Sequence, residues 1–258
     1  MANYAVTLAF SEIKTIYLRE LTAQDELIIT DLGTNSAVEL INGLFSKTTD
    51  DQVDTFRAES LVTADRDRVL AAIYQHTYSD FLQSTIHCGA CNTQFDLDFS
   101  LNALISHIQN SVEQIFVIEQ KEDSWYELAD GTIFRLPTGA DELAVAHLPS
   151  PIGVQHLLAR CLKKGEASAI GEQVQEAMAQ IAPVLATEMM ANCPECGHNQ
   201  SVNFDIQSFL LSRLKQDRKQ IIWEVHRLAG SYHWSHQEIM NLPRSLRQNY
   251  VSLIDSEL

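Results

Sequence analysis

Two Cys-x-x-Cys turns, Cys88/Cys91 and Cys193/Cys196, stand 105 residues apart, and the residues around them correspond without gaps at that offset. Leu97 answers to Val202, Phe99 to Phe204 and Ser100 to Asp205, and Leu101, Leu104 and Ile105 answer to Ile206, Phe209 and Leu210. The residue after each second cysteine is Asn92 or Gly197. Those residue types most readily take the positive φ that the turn past a knuckle's second thiolate requires. Ser100 and Asp205 are both good helix N-caps. Each copy therefore predicts strand, CxxC knuckle, strand and capped amphipathic helix: an α+β fold containing an internally duplicated unit, followed by a helical C-terminal region.

A CxxC turn supplies two thiolates, whereas structural zinc takes four ligands at about 2.3 Å. Neither copy has a second pair of its own, so the economical arrangement is one zinc ion shared by Cys88, Cys91, Cys193 and Cys196. Metal binding then becomes folding free energy, on the order of 10 kcal/mol in small zinc peptides. Disulfides within each pair, or unliganded thiols, are the competing readings. A redox CxxC is disfavoured because neither pair opens a helix after a strand. His87 and His198 flank the knuckles as possible substitute ligands, although four cysteines already complete a tetrahedron. Cys161, on the apolar face of a predicted helix, is expected in the core. The acidic run Thr49–Asp54 lacks the glycine and terminal glutamate of a calcium loop and is expected to be a solvated loop.

Four thiolates leave zinc no open position for water, which makes the metal structural. No Gly-rich phosphate loop, nucleophile elbow or His-Glu-x-x-His run is present, so the chain is not expected to be an enzyme. The formal net charge of -16 disfavours nucleic acid and anionic lipid. The knuckle segments 83–105 and 188–210 contain no Lys or Arg, which argues against a zinc-ribbon adaptor for nucleic acid or the transcription machinery. The charge is uneven: residues 213–258 hold seven Lys/Arg against five Asp/Glu, and the residues before them hold 11 against 29. No basic start with an apolar stretch follows Met1, and no apolar run approaches bilayer-spanning length. A cytoplasmic protein without a membrane segment is expected.

Along the chain, Val6, Leu8, Phe10, Ile16 and Leu18 predict an N-terminal strand or hairpin. Helices are expected over Ser36–Phe45 and from Thr63, as N-cap, to about Tyr78, with Val69, Leu70, Ile73 and Tyr74 on one face. Residues 115–118 and 132–134 are expected to pair across a turn at Asp130-Gly131. One helix should open at Pro149-Ser150-Pro151, with Val154, Leu157, Leu158 and Cys161 among its apolar positions. Another should run from Ile170 to Ile181. The longest should extend from Asp205 to about Leu228 and break at Gly230. Ser235 with Glu238 predicts a capping box, and Pro243 a final helix to about Ile254. The expected organisation is an N-terminal segment 1–60, a zinc-stapled core 61–212 and a helical region 213–258, or these three as one continuous domain.

The C-terminal stretch reads Trp223-Glu-Val-His-Arg-Leu-Ala-Gly-Ser-Tyr-His-Trp-Ser-His-Gln-Glu-Ile-Met-Asn-Leu-Pro-Arg-Ser-Leu-Arg-Gln-Asn-Tyr-Val. Together with Leu61-Val-Thr-Ala-Asp-Arg-Asp-Arg-Val-Leu and Phe134-Arg-Leu-Pro-Thr-Gly-Ala-Asp, it resembles the T-even phage family of baseplate hub assembly chaperones, including homologues in phage-like contractile injection systems. The resemblance runs from about residue 60 onward, and the paired knuckles mark a variant branch of it. It implies a non-enzymatic accessory protein that helps build the baseplate hub by contact with hub or spike proteins, and an association with a virion or injection-system baseplate. Within the C-terminal stretch, Tyr232, Trp234, Arg244 and Arg247 are candidate partner-interface residues, aromatic and arginine side chains at a helix break being common interface anchors. The competing reading packs Tyr232 and Trp234 against the long helix and leaves the arginines outside.

Overall fold

The computed structural model describes residues 3–46, 56–165 and 167–256; the acidic run Thr49–Asp54 lies outside them. The N-terminal alternation forms the antiparallel hairpin β1 (Tyr4–Thr7) and β2 (Thr15–Leu18), with Val6 opposite Ile16. Helix α1 (Ala23–Leu27) starts from a Thr22–Asp25 capping box, and α2 (Thr34–Leu44) follows. Helix α3 (Thr63–Thr77) buries Val69, Leu70, Ile73 and Tyr74, the face its periodicity predicts. Its N-cap is Val62, not Thr63. The Thr63 hydroxyl instead donates to Pro137 O (3.3 Å) and to Glu142 Oε1 (2.9 Å), because Leu61–Thr63 pairs with the backbone of Pro137–Gly139. A Cβ on Gly139 would meet the Glu59 backbone at 3.2 Å, so a larger residue would have to push this close approach apart by a few tenths of an ångström.

The first cysteine-bearing unit is β3 (Phe81–His87), β4 (Gln94–Ser100) and α4 (Leu101–Asn110), with Ser100 Oγ accepting from the Ala103 amide as its cap. Next comes a four-stranded antiparallel sheet, order β5-β6-β7-β8, from β5 (Ile118–Gln120), β6 (Trp125–Leu128), β7 (Ile133–Arg135) and, after α5 (Gly139–Val145) and α6 (Ser150–Cys161), β8 (Leu162–Lys164). The expected pairing of residues 115–118 with 132–134 does not occur. Across the Asp130-Gly131 turn, where Gly131 has φ +82, β7 pairs with β6, placing Tyr126 opposite Phe134. A tight turn joins the residues that flank it directly, and Trp125–Leu128 already alternates, with Tyr126 and Leu128 buried. Helix α7 (Ala167–Ile181) packs with α6 against this sheet around Phe134, Leu158, Cys161, Val174 and Ala177. Val154, one of the apolar positions of the predicted helix, is exposed.

The second unit is β9 (Ala186–Asn192), β10 (Asn199–Asp205) and α8 (Ile206–Gln216), capped by Asp205. The chain ends with α9 (Arg218–Tyr232), α10 (His236–Met240), opened by the predicted Ser235–Glu238 capping box, and α11 (Arg244–Ser256). The expected single helix is thus divided at Asp217, whose carboxylate accepts from the Tyr78 hydroxyl and from Arg244 Nη2, both at 2.7 Å. Gly230 does not break α9: an interior glycine costs only about 1 kcal/mol, and the stop comes at His233, with φ +57.

The largest core gathers β1, β2, α2, α3, α4 and α8, drawing on residues from Val6 to Leu214. Buried carboxylates fix what packs around it. Asp65 accepts from the amides of Ala9, Phe10 and Ser11 (2.8, 2.8 and 2.6 Å), which holds the β1–β2 loop on α3. Asp67 accepts from the Leu185 amide at 2.9 Å, anchoring the approach to β9. Burial pushes the Asp67 carboxyl up to about 7, against the pull of the Arg66 guanidinium. Between about pH 4 and about pH 7 the folded chain therefore keeps a proton that the unfolded chain has lost, and this group's contribution to stability fades as pH rises through that window. Asp67→Asn retains an acceptor for Leu185 and has no such proton. Its melting temperature relative to wild type is expected to rise across the window, by several degrees; a difference that does not change with pH would show that Asp67 titrates normally.

Candidate metal centre

The two knuckles close by the same local bonds. In the first, the Cys88 amide donates to Thr93 O and the Asn92 amide to Cys88 O, both at 2.9 Å. In the second, the Cys193 amide donates to His198 O (2.9 Å) and the Gly197 amide to Cys193 O (3.0 Å). Asn92 and Gly197 have φ +59 and +71, as the predicted turn requires. The aligned residues meet beneath the turns. Phe99 and Phe204 pack edge to face at 5.3 Å, and Leu97 and Val202 line a small cluster around Phe95, Ala191, Cys88 and Cys193.

All four predicted cysteines come together, their sulfurs within 4.8 Å of one another. Cys88 and Cys193 are buried, and Cys91 and Cys196 lie at the surface. Sulfurs of different hairpins approach closely: Cys88–Cys196 at 3.6 Å and Cys91–Cys193 at 3.7 Å. A tetrahedron of thiolates about 2.3 Å from a metal has edges of about 3.8 Å. The donor set therefore fits a tetrahedral ion, and all five cysteines of the chain are free thiols rather than disulfides. His87 and His198 are exposed and stand outside the four-sulfur group. Cys161 is fully buried in the sheet–helix core, where burial pushes its thiol up to about 11.

The four thiols and their neighbours shift one another's ionisation. The Thr93 hydroxyl and amide draw the Cys91 thiol down to about 6. At Cys196 the His198 amide favours the thiolate, but the sulfurs of Cys91, Cys88 and Cys193 outweigh it and push this thiol up to about 12. Like charges this close oppose each other's ionisation, and a divalent ion among them reverses that opposition. Sequence reasoning missed Gln200, whose side chain spans the hairpins by accepting from the Gly89 amide (2.8 Å) and donating to His87 O (2.9 Å). Its counterpart at the 105-residue offset is the apolar Phe95, so the repeat gave no signal for it.

The expected interface residues divide. Arg247, expected outside, is fully buried: its Nε donates to Glu224 Oε2 (2.6 Å) and its Nη2 to Glu26 Oε1 (2.7 Å). Arg244, also expected outside, is mostly buried. It pairs with Glu26 and Asp217 and lies over the Tyr78 ring at 4.8 Å. Burial works against the Arg244 charge, and Glu26 and Asp217 more than restore it. The carboxylates of α1 and α9 thus draw both arginines inward. Tyr232 and Trp234 stack at 4.8 Å beside Tyr250, with Trp234 against the Leu228–Ile239–Val251–Ile254 cluster; Tyr232 remains exposed. Exposed Ile222 and Trp223 on α9 were not anticipated.

Cys193→Ser is expected to lose bound metal and to melt at least about 10 °C lower; unchanged melting with metal retained would show that the centre is dispensable. Arg247→Ala is expected to cost about 3–5 kcal/mol in denaturant unfolding, because it leaves buried Glu224 without its cation and buried Glu26 with Arg244 alone, with metal content unchanged. A loss under about 1 kcal/mol would place Arg247 outside the packing.

No helix among the described residues is long and apolar enough to cross a membrane. No curated protein and no solved structure matches the chain. The family model described as T4 bacteriophage base plate protein matches residues 1–164. That span holds the first knuckle, the buried Asp65–Arg66–Asp67 run and its partner segment Phe134–Asp141. It covers well over half of the sequence, and on that match the chain belongs to the T4 bacteriophage base plate protein family.

Proposed function

We propose that this chain is a non-enzymatic accessory protein that promotes baseplate hub assembly in a contractile tail or injection system, acting through contacts with hub or spike proteins. The observation that carries the reading is the family match over residues 1–164, beside a four-thiol centre suited to architecture. We take the ion to be zinc, because four thiolates in tetrahedral array are the common structural zinc set. Such a centre keeps no position for a reactive water, which supports a structural role. The two knuckle units, alike in hairpin, turn and capped helix, are read as an internal duplication that shares this ion. Residues 83–105 and 188–210 carry no Lys or Arg, which supports protein rather than nucleic acid as the partner. The chain acts in the cytoplasm during assembly and is associated with the baseplate.

Tagged protein drawn from cells expressing the whole assembly locus is expected to bring down hub or spike proteins and to pass a nucleic-acid column at low salt. Recovery of neither hub nor spike, or salt-dependent retention on the column, would overturn the reading.

A further inference from the structure

The four-stranded sheet leaves an outer edge at β5, and the chemistry of that edge specifies an occupant. The Lys121 amide donates to Trp125 O at 2.7 Å, which makes that pair a hydrogen-bonded one. Alternation along the ladder turns the backbone groups of Ile118 and Gln120 away from β6, toward the open side. Just upstream, the Gln180 side-chain amide holds the backbone, accepting from the Ile115 and Phe116 amides (2.8 Å each) and donating to Phe116 O (2.9 Å). Among the described residues no strand continues that pairing beyond Phe116.

The side chains alternate as on a strand with one free face. Phe116 and Ile118 turn to the sheet–helix core, while Ile115 is 67% exposed and Val117 81% exposed. Sheet edges are ordinarily guarded by lysine, proline or a bulge, yet Gln114–Gln120 contains neither Lys nor Pro. The surroundings are acidic. From Ser111 to Ser124 there are four carboxylates, Glu113, Glu119, Glu122 and Asp123, and one cation, Lys121. Lys121 is already held by Glu119 and Glu127 at 2.8 Å each. Laying β5 of a second copy along this edge would set acid against acid, whereas a strand with basic ends would be attracted.

We propose that the outer edge of β5 is a docking edge for an extended segment of a partner protein, with alternating aliphatic residues between basic ones, added as a further strand. The proposal rests on the reading that the chain works by protein contact, and its test stands apart from the pull-down. A panel of short peptides alternating threonine with valine, isoleucine or leucine between paired lysines is titrated onto the full-length metal-loaded chain by fluorescence anisotropy. At least one is expected to bind with Kd below about 100 µM and to slow hydrogen exchange at the Ile118 and Gln120 amides. Glutamate-flanked versions, and the double variant Ile115→Lys/Val117→Lys, are expected to bind at least about tenfold more weakly, the variant melting as wild type does. Absence of binding across the panel, equal binding of the acidic versions, or a dimer of the chain that Val117→Lys abolishes would overturn it. Recovery of hub proteins by the double variant would reject this edge and leave the assembly role standing.

Discussion

Four sulfurs that repel one another as thiolates are held within 4.8 Å by two hairpins more than a hundred residues apart in sequence. Neither hairpin has a core of its own: each is two strands and a turn, and two strands alone are marginal in water. Joined at the sulfurs they support each other, with Phe99 against Phe204, Leu97 and Val202 lining one cluster, and Gln200 bridging to the opposite turn. A link from Cys88 to Cys196 also closes the chain between them into a loop that contains the four-stranded sheet and α5–α7. Closing a loop of about a hundred residues removes on the order of 4–5 kcal/mol of entropy from the unfolded ensemble. A cation among the thiolates would make that link favourable.

The rest of the fold is tied by buried carboxylates of long reach. Asp65 organises the first hairpin loop, Asp67 the approach to the second cysteine unit, and Glu26 the last helix through Arg247. Asp141 takes Arg135 and Arg160; burial opposes its ionisation, but Arg135 and the Thr138 amide and hydroxyl hold its carboxyl well below the usual range. Each such group costs desolvation and is stable only with its donors in place, so each contact demands one specific arrangement of elements far apart in sequence. The motif segments Leu61–Leu70 and Phe134–Asp141 meet along a backbone pairing, and both lie within the residues that the family model matches.

The four-cysteine cluster was legible because its information is local: a CxxC turn, Asn92 or Gly197 after it, and a capped helix, repeated at one offset. The hairpins, their registers and the Ser100 and Asp205 caps follow from that repeat. Where the sequence reading went astray, the deciding partner was distant. Arg244 and Arg247 look like surface cations until Glu26, more than two hundred residues away, is placed against them. Asp217 divides a helix that periodicity makes continuous, because Tyr78 and Arg244 hold its side chain. Thr63 resembles an N-cap until Pro137 and Glu142 claim its hydroxyl. The neighbour of β7 differs from the expected one for another reason: the turn at Asp130-Gly131 pairs the residues that flank it, although the run at 115–118 is the more apolar.

X-ray absorption at the zinc edge on protein purified without added metal tests the centre most directly. One zinc per chain surrounded by four sulfurs at about 2.3 Å, with no oxygen or nitrogen neighbour, is the expected spectrum. Metal-free protein that is nevertheless folded, or a first shell containing water or imidazole, would contradict a closed structural site formed by Cys88, Cys91, Cys193 and Cys196.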